Sequence, residues 1–162
     1  MNEMPEFLRT EVWHPLTVHF PIALLLVATL FKFLTLFSKS KTWENAGSLL
    51  LYIGTIGAWL AIFTGDLADG IVARELCDPT VLKAHENFAW ILAWLFSLST
   101  LIDIGRILKL IPLKTKIINI LTFSIMVIGS GYLMYAGHLG AKLVYQQGAG
   151  VYHPTENCDE FN

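Results

Sequence analysis

Polar positions thin out four times along the chain. Phe20–Phe31 and Phe33–Phe37 carry no charge and are separated only by Lys32. Ala46–Gly65 gives 20 uncharged residues, Asn87–Ile102 gives 16 and Ile117–Gly137 gives 21. Roughly 20 apolar residues at about 1.5 Å rise cross a hydrocarbon layer about 30 Å thick. A backbone amide inside that layer has no water to bond, so each run is expected to satisfy itself as a helix. The pattern predicts an all-α integral membrane four-helix bundle, with spans at about 15–37, 46–65, 85–110 and 117–145. Connections this short leave room for one membrane domain over 1–162, with a short tail at 146–162. Neither an internal repeat nor a low-complexity segment is visible.

Composition supports this reading. Of 162 residues, 54% are apolar and only 15% charged, too few charges for the surface of a soluble domain of this size. The first eleven residues hold Glu3, Glu6 and Glu11 against Arg9, where a cleavable signal needs a basic start. The first helix is therefore expected to be retained.

Charge orients the spans. The first and third connections carry seven of the eleven basic residues (Lys32, Lys39, Lys41, Arg106, Lys109, Lys114, Lys116) and two acidic ones, Glu44 and Asp103. Basic short loops stay in the cytoplasm. Both termini and the second connection are thus expected in the periplasm of a bacterial inner membrane. Lys32 and Asp103, near the cytoplasmic helix ends, are expected to snorkel or to pair with each other. Cys77 and Cys158 fall on the outer side, where an oxidising compartment permits a disulfide between them. No Cys-x-x-Cys-His occurs, so covalent c-type haem attachment is excluded.

All five histidines also fall on the outer half: His14, His19, His85, His138 and His153. Pro15 suits a first helical turn, which makes His14 an interfacial cap and puts His19 about 7 Å deeper. Pro21 is expected to kink the first helix and free the Thr17 carbonyl. His85 and His138 sit at comparable depth on the third and fourth spans. Asp66 and Asp69 share a face at the end of the second. Ionisable groups inside a bundle are costly and suggest a site. Two constructions fit. In one, two histidines clamp a b-type haem, with Gly54, Gly57, Gly129, Gly131, Gly137 and Gly140 allowing close approach and Trp59, Phe88, Trp90 and Trp94 as walls. In the other, histidine and aspartate together bind a smaller metal. Singly, each histidine has an ordinary structural reading, as a hydrogen-bonded interfacial side chain.

The opening "HPLTVHFPIALL" and closing "GHLGAKLVYQQGAGV" resemble the bacterial membrane proteins of the domain-of-unknown-function 2231 family. The matching positions are His14, Pro15, His19, Phe20 and Pro21, then His138, Gly140, Leu143, Val144, Tyr145, Gly148, Gly150 and Val151. The resemblance covers about residues 12–152 and implies a four-helix inner-membrane protein. Relatives joined to c-type cytochrome or rubredoxin-like modules make electron transfer an expectation by association. Gln147 departs from the basic or histidine residue expected there in many relatives.

These readings converge on a membrane cytochrome linking the quinone pool to a periplasmic or complex-bound acceptor. One or two b-type haems would be ligated by His19, His85 and His138, with His14 as a further candidate. Asp66 and Asp69 would act as supporting or alternative ligands. The alternatives are a non-haem metal protein and an anchoring subunit of a respiratory complex. No Ser-His-Asp pattern, zincin motif, phosphate loop or nucleic-acid-binding feature appears, so an electron carrier is expected rather than a stand-alone enzyme.

Overall fold

The computed structural model describes residues 9–38 and 40–151. Its elements are four helices: α1 (Thr10–Phe37), α2 (Lys41–Val72), α3 (Pro79–Ile107) and α4 (Thr115–Gln147). All four are long and apolar enough to cross a membrane. Each runs past its apolar stretch because a helix continues into the interfacial layer wherever it still buries a side chain, as Ala68 and Leu143 do near the ends of α2 and α4.

Local chemistry sets the boundaries. Pro79 at the first turn of α3 gives up no needed hydrogen bond, and the Asp78 side chain accepts from the Thr80 N–H. Gly148, at φ 67°, ends α4 in the left-handed region that favours glycine. At the start of α1 the expectation fails. The helix begins at Thr10, so Pro15 and Pro21 are both interior and His14 is a helical residue rather than a cap. Interior prolines persist in membrane helices where neighbouring helices support the turn. Pro21 is buried against Gly57, whose absent Cβ would lie 3.3 Å from the proline ring.

The chain folds as two antiparallel hairpins. α1 packs most extensively on α2 and α3 on α4; the hairpins meet through α1 with α4 and α2 with α3. Residues from the start of α1, the end of α2 and the end of α4 line one cavity of about 390 Å³, Arg9, Val72 and Val151 among them. Both described ends of the chain and the second connection therefore share one end of the bundle, here the terminal end. The Asp78 N–H donates to the Gln147 side-chain oxygen at 2.9 Å, closing α3 onto α4 there. The core is apolar (Leu25, Leu51, Leu92, Phe96, Met126, Leu133). So is the outside: Phe20 is 72% exposed, Ile56 71% and Met134 68%. A protein apolar on both sides is built for lipid.

A repeat not evident along the sequence emerges from the packing. Each α1 residue corresponds to the α3 residue 71 positions on, and each α2 residue to the α4 residue 75 positions on. Leu25 fills the space over Gly54 as Phe96 does over Gly129. The Thr29 and Ser130 hydroxyls meet at 3.1 Å, and their counterparts Thr100 and Thr55 at 3.0 Å. Lys32 and Asp103 are counterparts of one another and bond directly at 2.7 Å. The two hairpins are thus parallel copies about a pseudo-two-fold axis running through the bundle.

Candidate functional site

Two of the histidines come together. His14 on α1 and His85 on α3, diagonal partners in the bundle, have ring centroids 6.0 Å apart with planes at 85°. They are also counterparts in the repeat, so the pseudo-axis passes between them. The His14 Nδ1 lies 2.9 Å from the Ala61 carbonyl oxygen on α2, and the His85 Nδ1 lies 2.9 Å from that of Ala136 on α4. A carbonyl oxygen only accepts, so each Nδ1 carries the proton and each Nε2 keeps its lone pair in the neutral ring. A glycine on each neighbouring helix lies against the rings, closely at Gly65 and at ordinary contact distance at Gly140. A Cβ at Gly65 would meet His14 ring atoms at 3.2 Å, and one at Gly140 would meet His85 at 3.4 Å.

The halves differ around this pair. The Ala61 carbonyl also accepts from the Thr64 hydroxyl at 3.1 Å. The Thr64 and Thr17 hydroxyls bond at 2.8 Å, and Thr17 donates to the His14 carbonyl at 3.0 Å. In the other half the corresponding positions are Phe88 and Leu139, which offer no such bonds. His14 is therefore tied into a hydroxyl network, whereas His85 stands beside apolar neighbours.

The other predicted ligands lie elsewhere. His19 is exposed, five residues beyond His14 and so on another helix face. His138 is exposed, with its ring 6.2 Å from that of Tyr135. Asp66 is exposed, while Asp69 approaches Glu86 on α3, whose carboxylate bonds Lys83 at 2.8 Å. Among the described residues no group of three or more His, Cys, Asp or Glu side chains is placed to hold a metal ion. The expected glycines mostly serve packing: Gly54, Gly57 and Gly129 accommodate Leu25, Pro21 and Phe96, and Gly131 and Gly137 face open space. Trp59 donates to Ser97 at 2.9 Å and stacks edge-on with Trp90 and Trp94 on the α2–α3 surface. Phe88 packs against Tyr132 and Tyr135. Cys77 is exposed; its expected partner Cys158, like His153, lies outside the described residues.

A second polar centre occupies the opposite end of the bundle. Lys32 (3% exposed) bonds Asp103 (1% exposed), with Ser48 accepting a further bond from the ammonium at 2.8 Å. Asp103 also accepts from the Tyr52 hydroxyl at 2.8 Å and from the Arg106 guanidinium at 2.9 Å and 3.1 Å. Arg106 in turn pairs with Glu44. Of the two readings of Lys32 and Asp103 as end charges, mutual pairing holds. The participation of Ser48, Tyr52 and Glu44 had no sequence signal beyond the rule that intramembrane charges need partners.

No curated protein and no solved structure matches the chain at a significant level. A family model, described as predicted membrane protein (DUF2231), matches residues 11–153, a stretch that takes in all four helices and the histidine pair. The chain belongs to that family.

Proposed function

We propose that this protein is a membrane-embedded b-type haem protein that transfers electrons, its iron held between His14 and His85 near the terminal end of the bundle. The observation that carries this reading is the histidine pair: two imidazoles from different hairpins, 6.0 Å apart, each anchored through Nδ1 to a backbone carbonyl. With metal–nitrogen bonds of about 2.0–2.1 Å, two imidazoles on opposite sides of one ion have centroids about 6 Å apart. Anchoring of the far ring nitrogen is the usual support of a metal-bound histidine. Two protein ligands without a third among the described residues favour an ion whose remaining positions a porphyrin would fill, which favours haem over a small-ion site. His14 and His85 would hold such an iron, and haem held by two histidines would supply electron exchange rather than binding of a gas or substrate.

The basic character of the connections opposite the termini supports a centre near the periplasmic side of a bacterial inner membrane. Its partners there would be the quinone pool and a c-type cytochrome or other complex-bound acceptor. A purely structural reading has its own support, since each histidine already ties two helices together.

Optical spectra of the full chain, purified after expression with haem supply, separate these readings. The proposal expects a Soret band with reducible α and β bands, lost in His14→Ala and in His85→Ala and kept in His19→Ala and His138→Ala. Folded protein without a Soret band overturns it. Stoichiometric metal without porphyrin would favour the small-ion alternative, and neither metal nor porphyrin the structural one.

A further inference from the structure

The two hairpins present each other with nearly the same face. Within the hairpins Leu25 packs over Gly54 as Phe96 does over Gly129, and between them Thr29 meets Ser130 as Thr100 meets Thr55. A face matched by its own counterpart is an isologous interface. The α1–α2 hairpin of one chain, set against that of a second chain, would meet much the same shape and the same hydroxyls. Thr29 would find Thr55 of the other copy where it now finds Ser130.

One buried position breaks this equivalence chemically. Lys32 faces Asp103 across the pseudo-axis, and both are almost wholly buried. Two α1–α2 hairpins paired together would bring Lys32 against Lys32 with no buried carboxylate between them, and two α3–α4 hairpins would bring Asp103 against Asp103, each keeping only the Arg106 of its own helix. Ser48 lends each ammonium only a hydroxyl. Glu44, a turn beyond Ser48 and partly exposed, lies at the rim. A buried charge left uncompensated is strongly destabilising, whereas a complementary buried pair is tolerated.

We infer that the chain is a duplicated hairpin with a self-complementary inner face, and that the Lys32–Asp103 pair commits each half to the other half of its own chain rather than to a second copy. The pair acts as a selector of partner. A buried ion pair adds little net stability over an apolar pair of similar volume, and its best-attested role is to fix register and partner. The inference does not depend on what lies between His14 and His85.

The test uses the full chain carrying Cys77→Ser and Cys158→Ser, with new cysteines at Thr29→Cys and Thr55→Cys. In the native chain these positions face different helices, Thr29 against α4 and Thr55 against α3. A disulfide-linked dimer between them reports copy-to-copy pairing of α1–α2. The protein is reconstituted in phosphatidylcholine vesicles, oxidised, and read by mass on a non-reducing gel. With Lys32 and Asp103 present only a trace of dimer is expected, and with Lys32→Met/Asp103→Leu about ten-fold more. The Lys32→Gln/Asp103→Asn pair, which removes charge while keeping volume and hydrogen bonding, is run beside it in case the apolar pair folds poorly. It is expected to raise the dimer likewise. Retention of an intrachain Thr29→Cys/Ser130→Cys bond in each charge variant checks the fold. Equal dimer with and without the charges, in whichever variant folds, overturns the inference.

Discussion

The bundle carries a polar centre at each end of its pseudo-two-fold axis, and the two are built on opposite plans. At the terminal end the axis passes between His14 and His85, identical and partly exposed, each with one ring nitrogen tied to a carbonyl. At the opposite end it passes between Lys32 and Asp103, unlike and deeply buried, whose hydrogen-bonding capacity is largely taken up by each other and by Ser48, Tyr52 and Arg106. The first leaves one nitrogen of each ring outside these bonds. The second spends its capacity internally. Equivalent positions on a symmetric scaffold thus differ in how much of their hydrogen-bonding capacity the protein itself takes up.

The comparison breaks most visibly at the buried end. Asp103→Leu alone strands the Lys32 ammonium with Ser48 and is expected to cost about 3–5 kcal/mol. Thermal unfolding in detergent micelles should show this as a large fall in Tm, while Lys32→Met/Asp103→Leu recovers most of the loss. A single variant as stable as the parent would mean that water reaches the ammonium. Between the two ends, Gly54→Ala puts a Cβ 2.7 Å from Leu25 Cδ2 and is expected to cost about 1–3 kcal/mol. Gly131→Ala meets nothing within 4 Å and should be near neutral in the same assay.

Smaller effects sharpen the contrast at the histidine end. Without a cofactor, His14→Ala and His85→Ala each remove one interhelix hydrogen bond, about 1 kcal/mol apiece, and unfolding should rank them equal. Thr64→Val separates the halves: it should alter the environment of His14 and leave that of His85 unchanged, as read from imidazole nuclear resonance. The smallest effect concerns the α3 cap. The Thr80 hydroxyl and then its backbone N–H hold the Asp78 carboxyl below the usual carboxylate range. Because the folded value is the lower one, the cap's contribution is fully present at neutral pH and is lost as pH falls through that depressed value. Amide exchange at Thr80 should quicken in acid, and Asp78→Asn should flatten that dependence.

The histidines show how far a sequence reading reaches. Their type and shared end of the chain singled out His14 and His85 along with His19 and His138. Choosing among them required each residue's angle around its helix. The start of α1 at Thr10 rather than near Pro15 makes His14 a helical residue, and the rotation at which α1 packs puts it beside His85 while His19, on another face, is exposed. The repeat was hidden for a related reason. Packing conserves volume and position, so Leu25 and Phe96 are equivalent without being alike, and Lys32 and Asp103 are equivalent with opposite charge.

Hydropathy alone determined four helices and a lipid environment, because burying an unpaired amide in hydrocarbon costs so much that length and apolarity leave one solution. Charge placement along the chain likewise marked Lys32 and Asp103 as groups that must find partners. Which helices neighbour which, which imidazoles meet and which charges join across 71 residues were decided only in the folded bundle. Those outcomes depend on rotation and register between helices, and small residues and side-chain shape set both through contacts that no local stretch of sequence contains.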